Sequence, residues 1–206
     1  MVTTANRCLI LFVKEPVAGR VKTRLEPALG IDGALNFYQA LLKRQISLVN
    51  KIPNVNAQLW VDGDCKHPVF NAFSGSVYSQ QGADIGERMS FALEQALSAH
   101  GCAVLIGCDC PELTVEYLDK AFMLLEKNND AVFGPVIDGG YILIGLRKHN
   151  SEIFQHIEWG SARVMEQSRT RLRENKLSWE ELTLLHDIDE PADLVYLKAS
   201  DLSLYE

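Results

Sequence analysis

The stretch Cys8-Leu9-Ile10-Leu11-Phe12-Val13, followed by Lys14-Glu15-Pro16-Val17-Ala18-Gly19-Arg20-Val21-Lys22-Thr23-Arg24-Leu25, decides the fold. An unbroken apolar run of strand length has no polar face, so it must be covered on both sides, as in the interior of a parallel sheet. A basic loop bearing Pro16 and Gly19 follows at once. Beyond it Leu35, Tyr38, Leu42, Ile46 and Val49 recur at helical spacing and form one apolar face.

Outward from this opening the alternation continues. Ala57 to Val61 reads as the second strand and ends in Asp62-Gly63-Asp64, and Ser76 to Tyr78 as a further strand. The glycine-bearing loop Gln80 to Glu87 runs into a helix with Met89, Leu93, Ala96 and Leu97 along one side. Ala103 to Ile106 is a buried strand, succeeded by Gly107-Cys108-Asp109-Cys110-Pro111. Thr114 fits the N-cap of a helix whose apolar face is Leu118, Ala121, Phe122 and Leu125. Asp130 to Phe133 and Tyr141 to Leu146 read as strands on either side of Asp138-Gly139-Gly140. A helix around Arg163 to Arg173 and a short strand, Leu182 to Leu185, precede His186-Asp187-Ile188-Asp189-Glu190. Pro191 then opens a last helix. Strands alternating with helices predict an α/β fold, a mainly parallel sheet with helices on both faces. With no repeats, low-complexity tracts or linkers, residues 1–206 read as a single doubly wound domain.

Composition narrows the function classes. The net charge of -7, from 27 acids and 20 bases, disfavours a nucleic-acid backbone as partner, and no basic stripe offsets it. The five cysteines show no framework spacing, so a reducing compartment is expected and Cys108 and Cys110 read as small packing residues rather than zinc ligands. The apolar run at the N-terminus is too short for a signal h-region or a membrane span, which predicts a cytoplasmic protein.

In doubly wound sheets ligands bind outside the carboxyl ends of the strands, and the chemically notable residues sit there. Lys14, Gly19, Arg20, Lys22 and Arg24 follow the first strand. Bases beside a permissive glycine suit a phosphate, although an ordinary solvated turn would look similar. Asp109, after a buried strand, suits Mg²⁺ or Mn²⁺, which takes one or two carboxylates plus water and substrate phosphates; a capping or turn aspartate is the plainer alternative. Asp138-Gly139-Gly140 is a common hairpin turn that also leaves room for a sugar or acceptor. Asp62-Gly63-Asp64 is the one D-x-D in the chain, in a setting where turn residues are expected anyway. Asp187 or Asp189 could supply a second carboxylate, and Asp189 could equally cap the last helix. No nucleophile elbow is present.

Five ordered motifs carry a resemblance over nearly the whole chain: residues 12–25, Gly-Ala-Asp-Ile-Gly-Glu-Arg-Met (82–89), Ile-Gly-Cys-Asp-Cys-Pro-Glu-Leu (106–113), Gly-Pro-Val-Ile-Asp-Gly-Gly-Tyr (134–141) and Asp-Ile-Asp-Glu-Pro-Ala-Asp-Leu (187–194). With them the chain resembles bacterial GT-A-fold proteins often called arsenosugar-biosynthesis-type glycosyltransferases. These are related to the guanylyltransferases that activate phospholactate and molybdopterin. The resemblance implies a GT-A, Rossmann-like domain whose Lys14–Arg24 loop holds a nucleotide or its diphosphate. It makes Asp109 the metal-binding acid, with Asp187 or Asp189 bringing a second carboxylate. Gly82, Asp84 and Arg88 would line the nucleotide or sugar side, and Asp138, Gly139, Gly140 and Tyr141 the acceptor side. Cys110 stands where a D-x-D enzyme has its second acid.

The chemistry expected is electrophilic activation, in which a metal and the basic loop, with Lys22, Asp109 and Asp138 as the catalytic candidates, neutralise charge as an acceptor attacks. The donor is a nucleotide-diphosphate sugar in the leading expectation. In the alternative, a nucleoside triphosphate joins a phosphorylated acceptor with loss of pyrophosphate. A third expectation, from another class, is a non-catalytic nucleotide-binding protein.

Overall fold

The computed structural model describes residues 6–197. Its elements are β1 (Arg7–Lys14), α1 (Glu26–Val49), β2 (Val55–Asp62), β3 (Ser76–Ser79), α2 (Ile85–Leu97), β4 (Cys102–Ile106), α3 (Val115–Glu126), β5 (Ala131–Pro135), β6 (Tyr141–Leu146), α4 (Val164–Glu174) and β7 (Trp179–Glu181). The strands form a seven-stranded sheet in the order β3-β2-β1-β4-β6-β5-β7. β1 runs parallel to both β2 and β4, and β6 alone runs against its neighbours, β4 and β5. The sheet is thus mainly parallel, as the apolar runs predict.

Side chains alternate across β1 into two separate cores. Leu9, Leu11 and Val13 pack with Tyr38, Leu42, Ile46 and Val49 of α1 and Leu118, Ala121, Phe122 and Leu125 of α3. Cys8, Ile10 and Phe12 pack with Met89, Ala92, Leu93 and Ala96 of α2 and Met165 and Leu172 of α4. A third, smaller core joins Leu25, Ala34, Phe37 and Leu41 to Ile188, which is fully buried. This last cluster ties the segment bearing Asp187 and Asp189 to α1, far away in sequence.

Helix starts follow local chemistry. Thr114 accepts a hydrogen bond from the Tyr117 N–H at 3.2 Å and Asp84 from the Glu87 N–H at 2.8 Å, each filling a donor that the first helical turn leaves open. α1 is broken at Gly30, whose φ of 73° and ψ of 169° lie outside the helical range, so the apolar spacing is regular only from Leu35 onward.

Two expectations need correction near the C-terminus. The last strand is Trp179–Glu181 rather than Leu182 to Leu185. The later residues continue beside β5 through bonds from the Leu182 N–H to Phe133 O and from the Leu185 N–H to Pro135 O, but without a regular ladder. The helix opened by Pro191 is a 3-10 helix over Pro191–Tyr196, and its N-cap is Glu190, not Asp189. Asp193 Oδ2 accepts from the Asp189 and Glu190 N–H groups, which leaves the Asp189 carboxylate free to turn toward the basic loop. No helix among the described residues is long and apolar enough to cross a membrane.

The phase of α3 gives a direct check. Phe122 is fully buried whereas the adjacent Met123 is 46% exposed. Phe122→Ala should cost about 3–5 kcal/mol of unfolding free energy in urea denaturation, and Met123→Ala about 0.5 kcal/mol or less.

Candidate functional site

A cavity of about 610 Å³, of the size that takes a small ligand, opens at the carboxyl edge of the sheet. Lys14 ends β1, Asp62 ends β2 and Asp109 follows β4. Because β6 is antiparallel to both neighbours, the turn from β5 into β6 also lies at this edge and adds Asp138 and Gly140. Asp187 and Asp189 complete the rim from the C-terminal segment. Residues as far apart in sequence as Phe12 and Asp189 therefore line one cavity.

Lys22 organises the acidic side. Its side chain is 3% exposed, and its ammonium donates to Asp109 Oδ1 at 2.7 Å, Ile188 O at 2.6 Å and Asp189 Oδ1 at 3.5 Å. An ammonium has three protons, so this set uses all of them. Burial pulls the lysine pKa down, but Asp109 and Asp189 together outweigh it and hold the group above its ordinary value. Lys22 also adopts a left-handed backbone with φ 50°, uncommon for a side-chain-bearing residue and maintained here by the bonds at both ends. The Ile188 N–H donates back to Asp109 O at 3.0 Å, so the two acid-bearing segments are locked to each other.

The acids outnumber that single buried cation. Desolvation, then Asp138 and then Asp109, push the Asp187 carboxyl up to about 6, with Lys22 opposing. Burial is the larger cause, and the neighbouring Asp138 and Asp109 carboxylates add to it. The donors facing the cavity are hard carboxylate oxygens, the chemistry that Mg²⁺ or Mn²⁺ prefers. Among the described residues no three His, Cys, Asp or Glu side chains converge into a full metal shell. The set therefore fits a cation that draws one or two carboxylates from the protein and the remainder from water and ligand oxygens. Cys108 and Cys110 are buried packing residues, and burial drives the Cys110 thiol up to about 12.

The basic loop divides in two. Arg24 pairs with Asp189 Oδ2 at 2.8 Å and Glu190 at 3.7 Å, so Lys22 and Arg24 serve the acids of the site. Lys14 and Arg20 are exposed, line a second depression beside the main cavity, and have no ionic partner among the described residues. Gly19, with φ 72°, stands against open space and leaves the loop accessible from that side.

The wall from Gly82 to Arg88 is built largely from its own hydrogen bonds. Gly82 has φ 141°, and a Cβ there would lie 2.7 Å from the Arg88 nitrogen. Arg88 reaches Asp62 Oδ2 at 3.0 Å and Gly82 O at 3.1 Å. Asp62 and Asp64 do not act as a pair, because the Asp64 carboxylate accepts from the Lys66 N–H instead. Opposite, Asp138-Gly139-Gly140 is a hairpin turn and a cavity wall at once. Asp138 Oδ1 accepts from the Gly140 N–H at 2.7 Å, while Gly139, with φ 91°, backs onto Ala162 O. Tyr141 is held edge-on between Phe133 and Trp159.

Several positioning residues were not singled out from sequence. The Tyr38 hydroxyl accepts from the Lys14 N–H and donates to Lys14 O, both at 2.9 Å, and fixes the end of β1. Gln45 donates to Cys110 O at 2.7 Å and Arg44 to Pro111 O at 2.8 Å, so α1 clamps the Asp109 loop. Gln45 falls on the same helical face as Leu42 and Val49, and a polar residue on an apolar stripe is the signal that could have found it.

A family described as "Uncharacterized protein conserved in bacteria (DUF2064)" matches residues 45–161. Comparison with curated proteins gives no match. A crystal structure from Desulfovibrio desulfuricans G20, of a protein provisionally described as a nucleotide-diphospho-sugar transferase, is 33% identical, with a TM-score of 0.88 over 98% of this chain and 93% of its own. CMP:2-keto-3-deoxy-manno-octonic acid synthetase complexed with CTP is 10% identical, with a TM-score of 0.61 over 92% of this chain and 95% of its own. Rv0371c of Mycobacterium tuberculosis H37Rv in complex with manganese is 14% identical, with a TM-score of 0.57 over 93% of this chain and 97% of its own. The last two speak for the fold alone. The chain has the nucleotide-diphospho-sugar transferase fold.

The buried ammonium makes the site's charge balance testable. Lys22→Met should lower stability at pH 7 by about 1–3 kcal/mol in chemical denaturation, because it strips the acids of their counter-charge and leaves Ile188 O without a donor. A loss below about 0.5 kcal/mol would mean the acids do not depend on Lys22.

Proposed function

This chain belongs to the DUF2064 family of bacterial proteins, and we propose that it transfers a glycosyl group from a nucleotide-diphosphate sugar to a small-molecule acceptor. The observation that carries this reading is the division of the basic loop. Lys22 and Arg24 are spent on Asp109 and Asp189, which leaves Lys14 and Arg20 as the loop's cations for a ligand. Lys14 lines the cavity together with the acids and Arg20 the adjoining depression, and two cations beside an acid cluster suit a diphosphate bridged to the acids by one divalent ion. A triphosphate would bring a third phosphate with no loop cation to meet it. The resemblance of the five motifs to those of arsenosugar-biosynthesis-type glycosyltransferases favours the same donor class.

In the proposed reaction an acceptor hydroxyl oxygen bonds to the anomeric carbon, the bond from that carbon to the diphosphate oxygen breaks, and a nucleoside diphosphate leaves. Lys14 and Arg20 hold the diphosphate and bear the charge that grows on it as the bond breaks, an electrostatic effect that needs no covalent intermediate. Asp138 stands on the acceptor side. Its Oδ1 is fixed by Gly140, and the other oxygen remains to take the acceptor's proton. Asp109 and Asp187 are the residues that would hold Mg²⁺ or Mn²⁺, whose contribution is to neutralise the leaving diphosphate. Lys22 keeps Asp109 and the Asp187–Asp189 segment in register and is a positioning residue. The partners proposed are accordingly a nucleotide sugar and a small acceptor, with neither nucleic acid nor membrane.

The experiment is a thermal-shift panel of nucleoside diphosphates, nucleoside triphosphates and nucleotide sugars, each with and without Mn²⁺. It is run on wild type, Asp109→Asn and the double variant Lys14→Ala/Arg20→Ala. A ligand at a hundred times its Kd adds about 2.7 kcal/mol. The expected outcome is Mn²⁺-dependent stabilisation by a nucleotide sugar, lost in Asp109→Asn and weakened at least about tenfold in the double variant. Stabilisation by triphosphates alone would replace the proposal with nucleotidyl transfer. A nucleotide shift with no turnover of any nucleotide sugar would point to a binding protein.

A further inference from the structure

We infer that Glu112, which stands outside the cavity, is a positioning residue: its carboxylate clamps His186 and thereby holds Asp187 beside Asp109, so that the two acids are preorganised for one divalent cation. The inference rests on the assignment of that cation to Asp109 and Asp187 above. Glu112 Oε2 accepts two bonds from one residue, from the His186 N–H at 3.1 Å and from its Nδ1 at 3.0 Å. An ionised carboxylate only accepts, so Nδ1 carries the proton and the orientation of the imidazole is fixed. The Tyr196 ring stacks on the imidazole with centroids 4.0 Å apart and holds it from a second side. The Glu112 side chain is 16% exposed. Neither Glu112 nor His186 is among the residues that line the cavity, so both act through Asp187, which does.

The clamp belongs to a series of ties between the C-terminal segment and the stretch running from β4 into α3. The Tyr117 hydroxyl donates to Thr183 O at 2.9 Å, Glu112 takes both donors of His186, and the Ile188 N–H donates to Asp109 O at 3.0 Å. Asp187 therefore has a tied residue on each side, while its own side chain reaches the cavity. With the flanking backbone held, rotation of the side chain is the carboxyl's main remaining freedom.

Asp187 needs such restraint. Burial and the charges of Asp138 and Asp109 all disfavour its ionised form, and an untied segment would escape them by turning the carboxylate out to water. Lys22 does not prevent this, because its protons go to Asp109, Asp189 and Ile188 O. The bonds from His186 to Glu112 hold the segment in place instead. A hard divalent ion such as Mg²⁺ tolerates little error in ligand placement, so a residue that fixes one ligand against another controls affinity without touching the ion. Glu112 is also an anion, and the test separates its clamp from its charge.

The measurement is the Kd of Mn²⁺ alone, read from water-proton relaxation without any nucleotide. It is made on wild type, Glu112→Leu, Asp187→Asn and the double variant. Each single variant should bind Mn²⁺ at least about tenfold more weakly than wild type. The double variant should stay within about threefold of Asp187→Asn, because Glu112 then has nothing left to position. A Glu112→Leu Kd within about twofold of wild type overturns the inference. Losses that multiply in the double variant overturn it as well, since they show Glu112 acting independently of Asp187, as its charge alone would. His186→Phe keeps a ring against Tyr196 and removes the Nδ1 donor. It should weaken Mn²⁺ about threefold or more, and an unchanged Kd there overturns the inference even if Glu112→Leu does not fold. All of these results leave the cation site itself standing. A wild type that binds no Mn²⁺ overturns the cation assignment and this inference with it.

Discussion

A strand that is apolar on both faces has no side that can meet water, and the architecture follows from satisfying that constraint at β1. Its backbone groups must bond to strands on both edges, and its side chains must be covered by helices above and below. β2 and β4 supply the edges, α1 and α3 one cover, α2 and α4 the other. The chain can meet solvent only at the strand's end, so polar loops from widely separated parts of the sequence are delivered to the same edge. The cavity there is a consequence of how the core is enclosed.

The charge arrangement at that edge has a similar internal logic. Four of the cavity's aspartates, Asp109, Asp138, Asp187 and Asp189, come from three segments, and one buried ammonium, Lys22, binds two of them together with a backbone carbonyl. Burying an ammonium is costly unless it is fully paired, and Lys22 has a partner for each proton. The negative surplus that remains, felt most clearly at Asp187, is what a divalent cation would relieve. The site is thereby divided into an acidic side built around Lys22 and a side whose cations, Lys14 and Arg20, have no ionic partner among the described residues.

Hydrogen bonds to the backbone position the site alongside the charges. Tyr38 pins both backbone groups of Lys14, Gln45 and Arg44 hold the Asp109 loop, and Gln80 ties the end of β3 to β1 and β2. Tyr38, Gln45 and Gln80 are neutral and donate to backbone carbonyls, which fixes geometry without adding charge, and Arg44 donates to a backbone carbonyl as a cation. The same economy explains why Asp138-Gly139-Gly140 can be an ordinary hairpin turn and still shape the cavity. Gly139 lets the turn lie against Ala162 O, and Asp138 stays at the rim.

Much of the fold was legible in the sequence because burial imposes period and length locally. The apolar run at Cys8–Val13, the helical stripe from Leu35 to Val49 and the Thr114 cap are each short-range patterns, and each appears where expected. Asp109, Asp138 and the Lys14–Arg24 loop could be picked out because strand ends in such sheets are where ligands bind. What the sequence could not decide was partnership. Nothing local distinguishes Lys22, bound to Asp109, from Lys14, which faces the solvent, since both are lysines in one loop. Nor does local pattern reveal that β6 turns antiparallel, that β7 begins at Trp179, or that Glu190 caps the final turn and frees Asp189. Those outcomes depend on contacts across up to 167 residues, as between Lys22 and Asp189. The sequence by itself determined which segments must be buried and which residue types reach the sheet edge, because hydrophobic period is a local property. Only the tertiary structure decided which charges neutralise one another and which remain for a ligand, because an ion pair is fixed by distance in space.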